Sequence, residues 1–467
     1  MRNILDFERD FLGTTIVRLE QNYRSTRTIL RAAEGVIEHN EQRLEKRLRT
    51  DNDEGEPITV HAAYAPQDEA RAIARRIQAL VRRGATPDQI AVFYRSHYLS
   101  RGVEEALRNE LVPYEVVGGV SFFERKEIKD VLAYLRVLVN PLDDVSMERV
   151  INVPPRGIGR ATLDKIRGIA RARGMSVYES LLDDEARAEL PQKARAALAA
   201  VAATFESART KTAHAEAAMK AIESGIGYIA HLQALGDQEE DARVENLLEL
   251  LSDAAYFDEQ HGGGLAEYLA HVSLMTSEDR RDEDEPRVSL MSVHAAKGLE
   301  FDHVFVAGLE EGVFPHERAL DEDAGIEEER RLLYVALTRA RQTLWLGWAR
   351  ERMVGGVTDR QTRSSFLKEI PRDCIAVEST TDDDADGDDA ADGGIGDAAL
   401  DYDQSDPAER IAPGARVQHK EYGRGTLVRV SGHGMLARAT VRFDSGAERV
   451  LLLEYAGLMP LGQRGAE

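Results

Sequence analysis

Short, almost unbroken apolar runs recur along this chain, and they limit its fold more than any other feature. Ile58-Thr59-Val60, Ile90-Ala91-Val92-Phe93-Tyr94, Val288-Ser289-Leu290-Met291-Ser292-Val293, His303-Val304-Phe305-Val306-Ala307 and Thr343-Leu344-Trp345-Leu346 are β-prone and lack the polar alternation of a half-solvated strand. Between the first two, Ala70, Ile73, Ala74, Ile77 and Leu80 repeat at helical spacing. Strands that are apolar on both sides and joined through helices belong to a parallel sheet covered on both faces. The expected class is α/β.

The strand pattern is interrupted. From about 121 to 286 the periodicity is helical: Ile128, Val131, Leu132, Leu135, Leu138 and Val139 follow an i, i+3, i+4, i+7 rule, and Ala-rich stretches continue around 185–222 and 239–257. This predicts an all-helical insertion at 121–286 that splits the α/β domain into 1–120 and 287–372. A charged stretch, Glu278 to Pro286, marks the return to strands. Near the C-terminus, Val417-Gln418-His419, Gly425-Thr426-Leu427-Val428-Arg429-Val430, Ala439-Thr440-Val441-Arg442-Phe443 and Val450-Leu451-Leu452-Leu453 are short strand candidates, with Gly423, Gly425, Gly432, Gly434 and Gly446 in the turns. They predict a small β-barrel over 411–460. Tyr422, Phe443 and Tyr455 are its large rings, either interface anchors or core.

Charge is unevenly spread. Residues 373–410 hold fourteen Asp and Glu against one Arg, more than half of the net −23. Asp382-Asp383-Asp384-Ala385-Asp386-Gly387-Asp388-Asp389 cannot bury enough apolar surface to offset the entropy of ordering, so 373–410 is expected to be an acidic disordered linker. The overall acidity therefore does not exclude a nucleic-acid partner. A single Cys rules out an intrachain disulfide framework and a Cys-rich zinc site and fits a reducing cytoplasm. No apolar run approaches the ~18–20 residues of a membrane span, and Met1 to Glu8 has no apolar signal core.

Three segments carry chemistry. Leu19-Glu20-Gln21-Asn22-Tyr23-Arg24-Ser25 sets an aromatic ring beside an obligate cation, suited to a base and a phosphate; alone it also reads as a strand end with a solvated Arg. Ser292-Val293-His294-Ala295-Ala296-Lys297-Gly298-Leu299-Glu300-Phe301 packs four functional side chains into a βα-type connection, where ligands of open sheets gather, although such residues are often structural. Glu327-Glu328-Glu329-Arg330-Arg331-Leu332-Leu333-Tyr334-Val335-Ala336-Leu337-Thr338-Arg339-Ala340-Arg341 has an acidic first turn and a basic end that suit the helix dipole. Its apolar body predicts a largely buried helix, on which an Arg needs an anionic partner.

In this order the segments resemble motifs IV, V and VI of superfamily 1 DNA helicases of the UvrD/PcrA/Rep family. The resemblance extends through Gly118-Gly119-Val120-Ser121-Phe122-Phe123-Glu124-Arg125-Lys126-Glu127-Ile128-Lys129-Asp130, Asn152-Val153-Pro154-Pro155-Arg156-Gly157-Ile158-Gly159 and Gly308-Leu309-Glu310-Glu311-Gly312-Val313-Phe314-Pro315, covering residues 4–372; Ala336 stands where the family usually has Gly. It implies a RecA-like domain, 2A, split by the helical subdomain 2B, and a Tudor-like tail at 411–460. It further implies that Tyr23 stacks on adenine, that Arg24 and Arg339 reach the γ-phosphate, and that Glu300 bonds the ribose. His294 and Lys297 would lie on the DNA or cleft side, and Arg156, Gly157, Gly159 and Arg160 would meet duplex phosphates. The implied cofactor is ATP with Mg²⁺; the implied partners are single-stranded and duplex DNA and, through 411–460, RNA polymerase, with 3′→5′ stepping.

The chain has no Gly-Lys dipeptide, and hence no Walker A loop, and no apolar strand ending in Asp-Glu to hold magnesium. It is expected to be the C-terminal half of such a helicase, starting where the first RecA-like domain ends, through an internal start, a truncated gene or a split one. The isolated chain is then expected to be inactive. The alternative is a non-enzymatic adaptor that binds DNA or RNA polymerase.

Overall fold

The computed structural model describes residues 20–41, 48–235, 238–277, 285–319, 323–379, 414–419, 422–431, 438–453, 456 and 458–460. The acidic segment beyond Ser379, the charged stretch 278–284, Gly432, Gly434 and Tyr455 lie outside these residues. The described chain falls into two compact units: one of 20–121, 285–352 and 360–379, the other of 122–277, 353–359 and 414–460.

The first unit opens with β1 (Gln21–Asn22), α1 (Arg27–Ile37), β2 (Arg49–Thr50), β3 (Ile58–Ala63), α2 (Pro66–Arg82), β4 (Ile90–Tyr94), α3 (Ser100–Asn109) and β5 (Tyr114–Val116). Then comes a run of helices: α4 (Lys126–Val139), α5 (Asp144–Val150), α6 (Arg160–Arg173), α7 (Val177–Leu182), α8 (Asp184–Ala188), α9 (Gln192–Arg209), α10 (Ala215–Ile226), α11 (Tyr228–Leu235), α12 (Gln238–His261) and α13 (Leu265–Ser277). The chain returns through β6 (Val288–Ser292), β7 (Phe301–Ala307), α14 (Asp323–Leu337), β8 (Ala340–Ala349), β9 (Glu351–Val354), β10 (Val357–Arg360), α15 (Phe366–Glu369) and β11 (Ile375–Ser379).

All five apolar runs become strands of one sheet in the order β11-β3-β8-β7-β4-β6-β5, every pair parallel. Their continuity has a direct cause. Phe93, Met291, Val306, Leu344 and Leu346 pack beneath α1 and α14, while the alternate residues Val92, Leu290, Phe305 and Trp345 pack beneath α2 and α3. The edge strands β5 and β11 were not apparent from the sequence. Only one face of an edge strand is fully covered, and β11 leaves Val377 72% exposed.

In the second unit the helices share one core around Tyr134, Leu135, Phe205 and Tyr268. Ile128, Val131, Leu132, Leu135 and Leu138 are buried as the stripe requires, but Val139 is 44% exposed because α4 ends there. No strand occurs among the described residues from 122 to 277. The tip of the β9–β10 hairpin belongs to this unit: Ser252 Oγ donates to the Met353 carbonyl at 3.2 Å, and Val354 packs against the helical core. Near the C-terminus β12 (Arg416–His419), β13 (Gly423–Ser431), β14 (Arg438–Phe443), β15 (Glu448–Leu452) and β16 (Met459–Pro460) form an antiparallel sheet in the order β15-β14-β13-β12-β16. Phe443 is core, and Tyr422 packs on it with ring centroids 5.3 Å apart.

A buried ion cluster ties the first unit together. Arg352 grips Glu310 through two bonds of 2.7 Å and lies 3.5 Å from Glu69 of α2. Glu69 Oε1 accepts from Gly308 N at 2.9 Å, and Glu310 Oε1 from Ala349 N at 2.8 Å. Burial pushes the Glu69 pKa up to about 7 against the pull of Arg352. A carboxyl that binds its proton more tightly when folded makes stability fall as pH rises from its unfolded value, 4.5, to about 7. Glu69→Gln keeps an acceptor for Gly308 and should flatten that slope. Thermal unfolding followed by Trp345 and Trp348, the two tryptophans of the chain and both in β8, reads it out; an unchanged slope would assign the pH dependence elsewhere.

Candidate nucleotide and nucleic-acid site

The first motif is a pinned turn. Asn22 Oδ1 accepts from the amides of Arg24 and Ser25, both at 2.9 Å, in an Asx-type arrangement. Ser25 Oγ donates to the Ala340 carbonyl at 2.6 Å, Thr26 N donates to the Arg341 carbonyl at 3.3 Å, and Asn52 Nδ2 holds the Ser25 carbonyl at 3.1 Å. The turn is thereby bolted to the start of β8. Tyr23 stands out from it, 82% exposed.

Arg24 Nε meets Glu300 Oε2 at 2.5 Å, and its Nη1 donates to the Thr338 carbonyl at 3.1 Å. The other oxygen of Glu300 takes Arg341. The Arg24 and Arg341 hydrogen bonds hold the Glu300 carboxyl below the usual range. Arg339 donates to the carbonyls of Val335 and Leu299, each at 3.2 Å, and has no carboxylate in ion-pair contact among the described residues. Desolvation, then the neighbouring Arg24 charge, lowers its pKa. Arg24 and Arg341 pair with Glu300, Arg341 also lies 3.5 Å from Asp302, and Arg339 has only carbonyl acceptors, so three guanidiniums face two carboxylates and one positive charge is left over near the exposed Tyr23. Arg341, near the start of β8 and two residues after Arg339, had only that closeness in sequence to signal its part in the site.

The second motif is not one turn, as the sequence had suggested. Val293 N bonds the Tyr94 carbonyl at the end of β4, whereas Phe301 N bonds the Arg339 carbonyl at the start of β8. The connection crosses the sheet from its strand-end edge to its strand-start edge, burying Val293 and Ala296 in the core on the α1 and α14 face. His294 and Glu300 thus sit at opposite edges. Partial desolvation and then Arg95 lower the His294 pKa. Arg95, at the carboxyl end of β4, forks onto buried Glu329 with bonds of 2.8–2.9 Å, and Glu329 Oε2 also accepts from His316 N at 3.0 Å. Lys297 is exposed on the crossing, before Gly298 at φ 92°.

Two arginines of α14 find their anions inside the protein. Arg330 makes a fork with Glu369 at 2.8 and 2.9 Å, bonds Asn40 at 2.6 Å and lies over the Phe366 ring. Arg331 pairs with Glu327 and Glu328, one turn away on its own helix. The partner that the buried helix demanded is supplied within the fold.

The Pro-Pro-Arg-Gly-Ile-Gly loop needs a correction. Arg156 Nη1 donates to the carbonyls of Val150, Ile151 and Val153 at 3.2, 3.2 and 2.8 Å, and its guanidinium faces the Tyr134 ring at 6.0 Å. It caps the end of α5, whose last carbonyls lack intrahelical donors. Asn152 Oδ1 accepts from Arg156 N and Ile158 N, closing a turn in which Gly157 takes φ 73°. Gly159 has an ordinary φ of −81° and caps α6, with open space where a Cβ would lie. Arg160, the first residue of α6, is exposed and has no partner among the described residues.

A large parallel α/β sheet covered by helices on both faces is consistent with a RecA-like helicase domain. The model of the UvrD-like helicase C-terminal domain matches residues 17–351, and that of the PcrA/UvrD tudor domain matches 414–459. DNA helicase II of Salmonella typhimurium and that of Escherichia coli are each 37% identical over 98% of this chain and 64% of their own length. The ATP-dependent DNA helicase UvrD1 of Mycobacterium tuberculosis is 39% identical over 99% of the chain and 63% of its own length. The chain belongs to the UvrD-like helicase family and spans under two thirds of these relatives. No helix among the described residues is long and apolar enough to cross a membrane.

The two loop arginines separate in one experiment. Arg160→Ala should lower the slope of log affinity for duplex DNA against log salt by about one. Arg156→Ala should leave the slope unchanged and lower the unfolding temperature of the helical unit. A reversed pattern would return Arg156 to the phosphate role.

Proposed function

We propose that this chain is the C-terminal portion of an ATP-dependent 3′→5′ DNA helicase that translocates on single-stranded DNA, its residues 1–120 and 287–372 acting as domain 2A, 121–286 as 2B and 411–460 as a Tudor-like barrel; Ile375–Ser379, which the sequence had assigned to the linker 373–410, form strand β11 of the 2A sheet, so the linker follows Ser379. The observation that carries this reading is the pairing of Arg24 and Arg341 with Glu300, with Arg339 close by on carbonyl acceptors, next to an 82% exposed Tyr23. An excess of guanidinium charge on a rigid frame suits a polyphosphate, and a flat exposed ring suits the adenine. Arg24 and Arg339 would stabilise charge on the γ-phosphate, Tyr23 would stack, and Glu300 would bond the ribose while holding Arg24 and Arg341 in place. When bound, ATP with Mg²⁺ supplies the phosphoryl-transfer chemistry; the Walker A lysine and the magnesium ligands belong to a partner RecA-like domain, whether joined or separate. His294, Lys297 and Arg95 would serve the DNA side at the opposite edge of the sheet, and Arg160 with the Gly157 to Gly159 loop would meet duplex.

The 467-residue chain alone should show no ATP hydrolysis. Paired with a Walker-bearing domain of a relative, it should turn over ATP when DNA is present, and Arg24→Ala or Arg339→Ala should each lower kcat about 10³-fold with single-strand affinity nearly unchanged. Undiminished turnover in either variant removes that residue from the γ-phosphate. Failure of every such pairing to restore turnover would favour the adaptor.

RNA polymerase is the proposed partner of residues 411–460. Deleting 411–467 should abolish capture of purified polymerase and leave DNA affinity nearly unchanged. A collapse of DNA affinity would make the module a nucleic-acid binder.

A further inference from the structure

Strand β11 closes one side of the large sheet, and among the described residues it pairs with β3 alone. An edge of this kind presents amides and carbonyls that a further strand can pair with. Native edges are often blunted by a proline, a bulge or an unmatched charge. β11 carries neither proline nor bulge, and its one charge, Glu378, is met by Arg76 at 3.3 Å. The register with β3 fixes its two faces. Ala376 and Glu378 lie beside Thr59 and His61 and face α2, whereas Val377 lies beside Val60 and faces the other way. Ala376 and Glu378 are exposed, and so is Val377.

Helix α2 overhangs this edge with arginines. A cavity of about 400 Å³ between α2 and the sheet is lined by Arg75, Arg76, Arg83, His61, Trp345 and Glu378. Arg71 is neutralised by Asp68 at 2.6 Å, and Arg75 lies 3.7 Å from Glu110. Arg82 and Arg83 have no acidic partner among the described residues. Arg76 and Arg83 are seven residues apart, about 10 Å at 1.5 Å per residue. Arg76 stands over Glu378, and Arg83 stands with Glu56 and Pro57 at the strand-start end. Between the two levels β11 offers only the methyl group of Ala376.

We infer that β11 is a docking edge for an extended acidic segment of a partner protein. The segment adds to the sheet as a further strand, with a carboxylate beside Ala376, between Arg76 and Arg83, and a β-branched apolar side chain beside Val377. An alternation of acidic and apolar residues reads the same in either strand direction. Strand addition takes affinity from backbone pairing and specificity from alternate side chains, and this edge supplies both. A DNA backbone would match the arginines, but it has no donor for the strand carbonyls and would meet Glu378 and Glu56. A second copy paired antiparallel along β11 would bring a second row of α2 arginines to the same side of the sheet.

The test uses the full chain and three dye-labelled seven-residue peptides: alternating Glu and Val, alternating Lys and Val, and alternating Glu and Pro. Fluorescence anisotropy should show the Glu–Val peptide bound and the others about tenfold weaker or unbound, because Lys reverses the charge and Pro has no N–H. Arg76→Glu/Arg83→Glu should weaken the Glu–Val peptide about tenfold, as two exposed pairs become repulsive, and should favour the Lys–Val peptide instead. Equal binding of the Glu–Val and Glu–Pro peptides overturns the inference, as does an affinity indifferent to the charge reversal or no binding up to about 1 mM. Displacement of the peptide by single-stranded DNA would give the arginines to nucleic acid. Dimerisation of the unaltered chain, lost in the same double variant, would give the edge to a second copy; either result also overturns it. No readout depends on ATP turnover, so the inference stands or falls apart from the proposed function.

Discussion

The Arg352 guanidinium is the centre on which the α/β unit is assembled. It is buried with two carboxylates, and a charge in that position is tolerated only when its partners are in place. Through Glu69 it holds α2, through Glu310 it holds the loop after β7, and the Ala349 amide ties Glu310 to the end of β8. That loop runs on to His316, whose amide bonds Glu329, and Glu329 in turn fixes Arg95 beside His294. One ion cluster thus sets the register of the elements at the strand-end edge. Removing Arg352 would leave two buried acids unbalanced, a cost of about 3–5 kcal/mol by analogy with other broken buried pairs.

At the opposite edge the problem is like charge. Arg24, Arg339 and Arg341 crowd one another, and folding tolerates them through Glu300 and through carbonyl acceptors at Thr338, Val335 and Leu299. Each of these bonds also fixes a direction. The arginines are held by the backbone of α14 and by a turn bolted to β8, so their positions change only if the sheet itself moves. A group fixed in this way can stabilise developing charge without reorganising, which is the condition for electrostatic catalysis.

The sheet was legible in the sequence because burial on both faces leaves no polar alternation: Ile90 to Tyr94 reads the same from either side. The long helical segment was legible for the complementary reason, a 3.6-residue stripe on α4. Edge strands such as Tyr114–Val116 and Ile375–Ser379 carry half the signal and were missed. The hairpin Glu351 to Arg360 has only Gly355-Gly356 to announce it. In the site, residue types foretold chemistry but not partners. Arginine near glycine is common to both a phosphate contact and a structural turn; in the structure Arg156 bonds the carbonyls of Val150, Ile151 and Val153 at and just after the end of α5. The crossing of residues 293–300 from edge to edge could not be read from a motif whose letters are contiguous.

The pinned turn at Asn22 to Thr26 has one more consequence. A tyrosine on an ordinary surface loop must surrender backbone freedom when something flat comes to rest on it, at roughly 1–2 kcal/mol for each residue ordered. Around Tyr23 that freedom was already given up when Asn22 closed its turn and Ser25 locked onto Ala340. Only two side-chain torsions remain to be fixed. The ring therefore waits in an orientation chosen by folding, and whatever stacks there keeps nearly all of its contact energy.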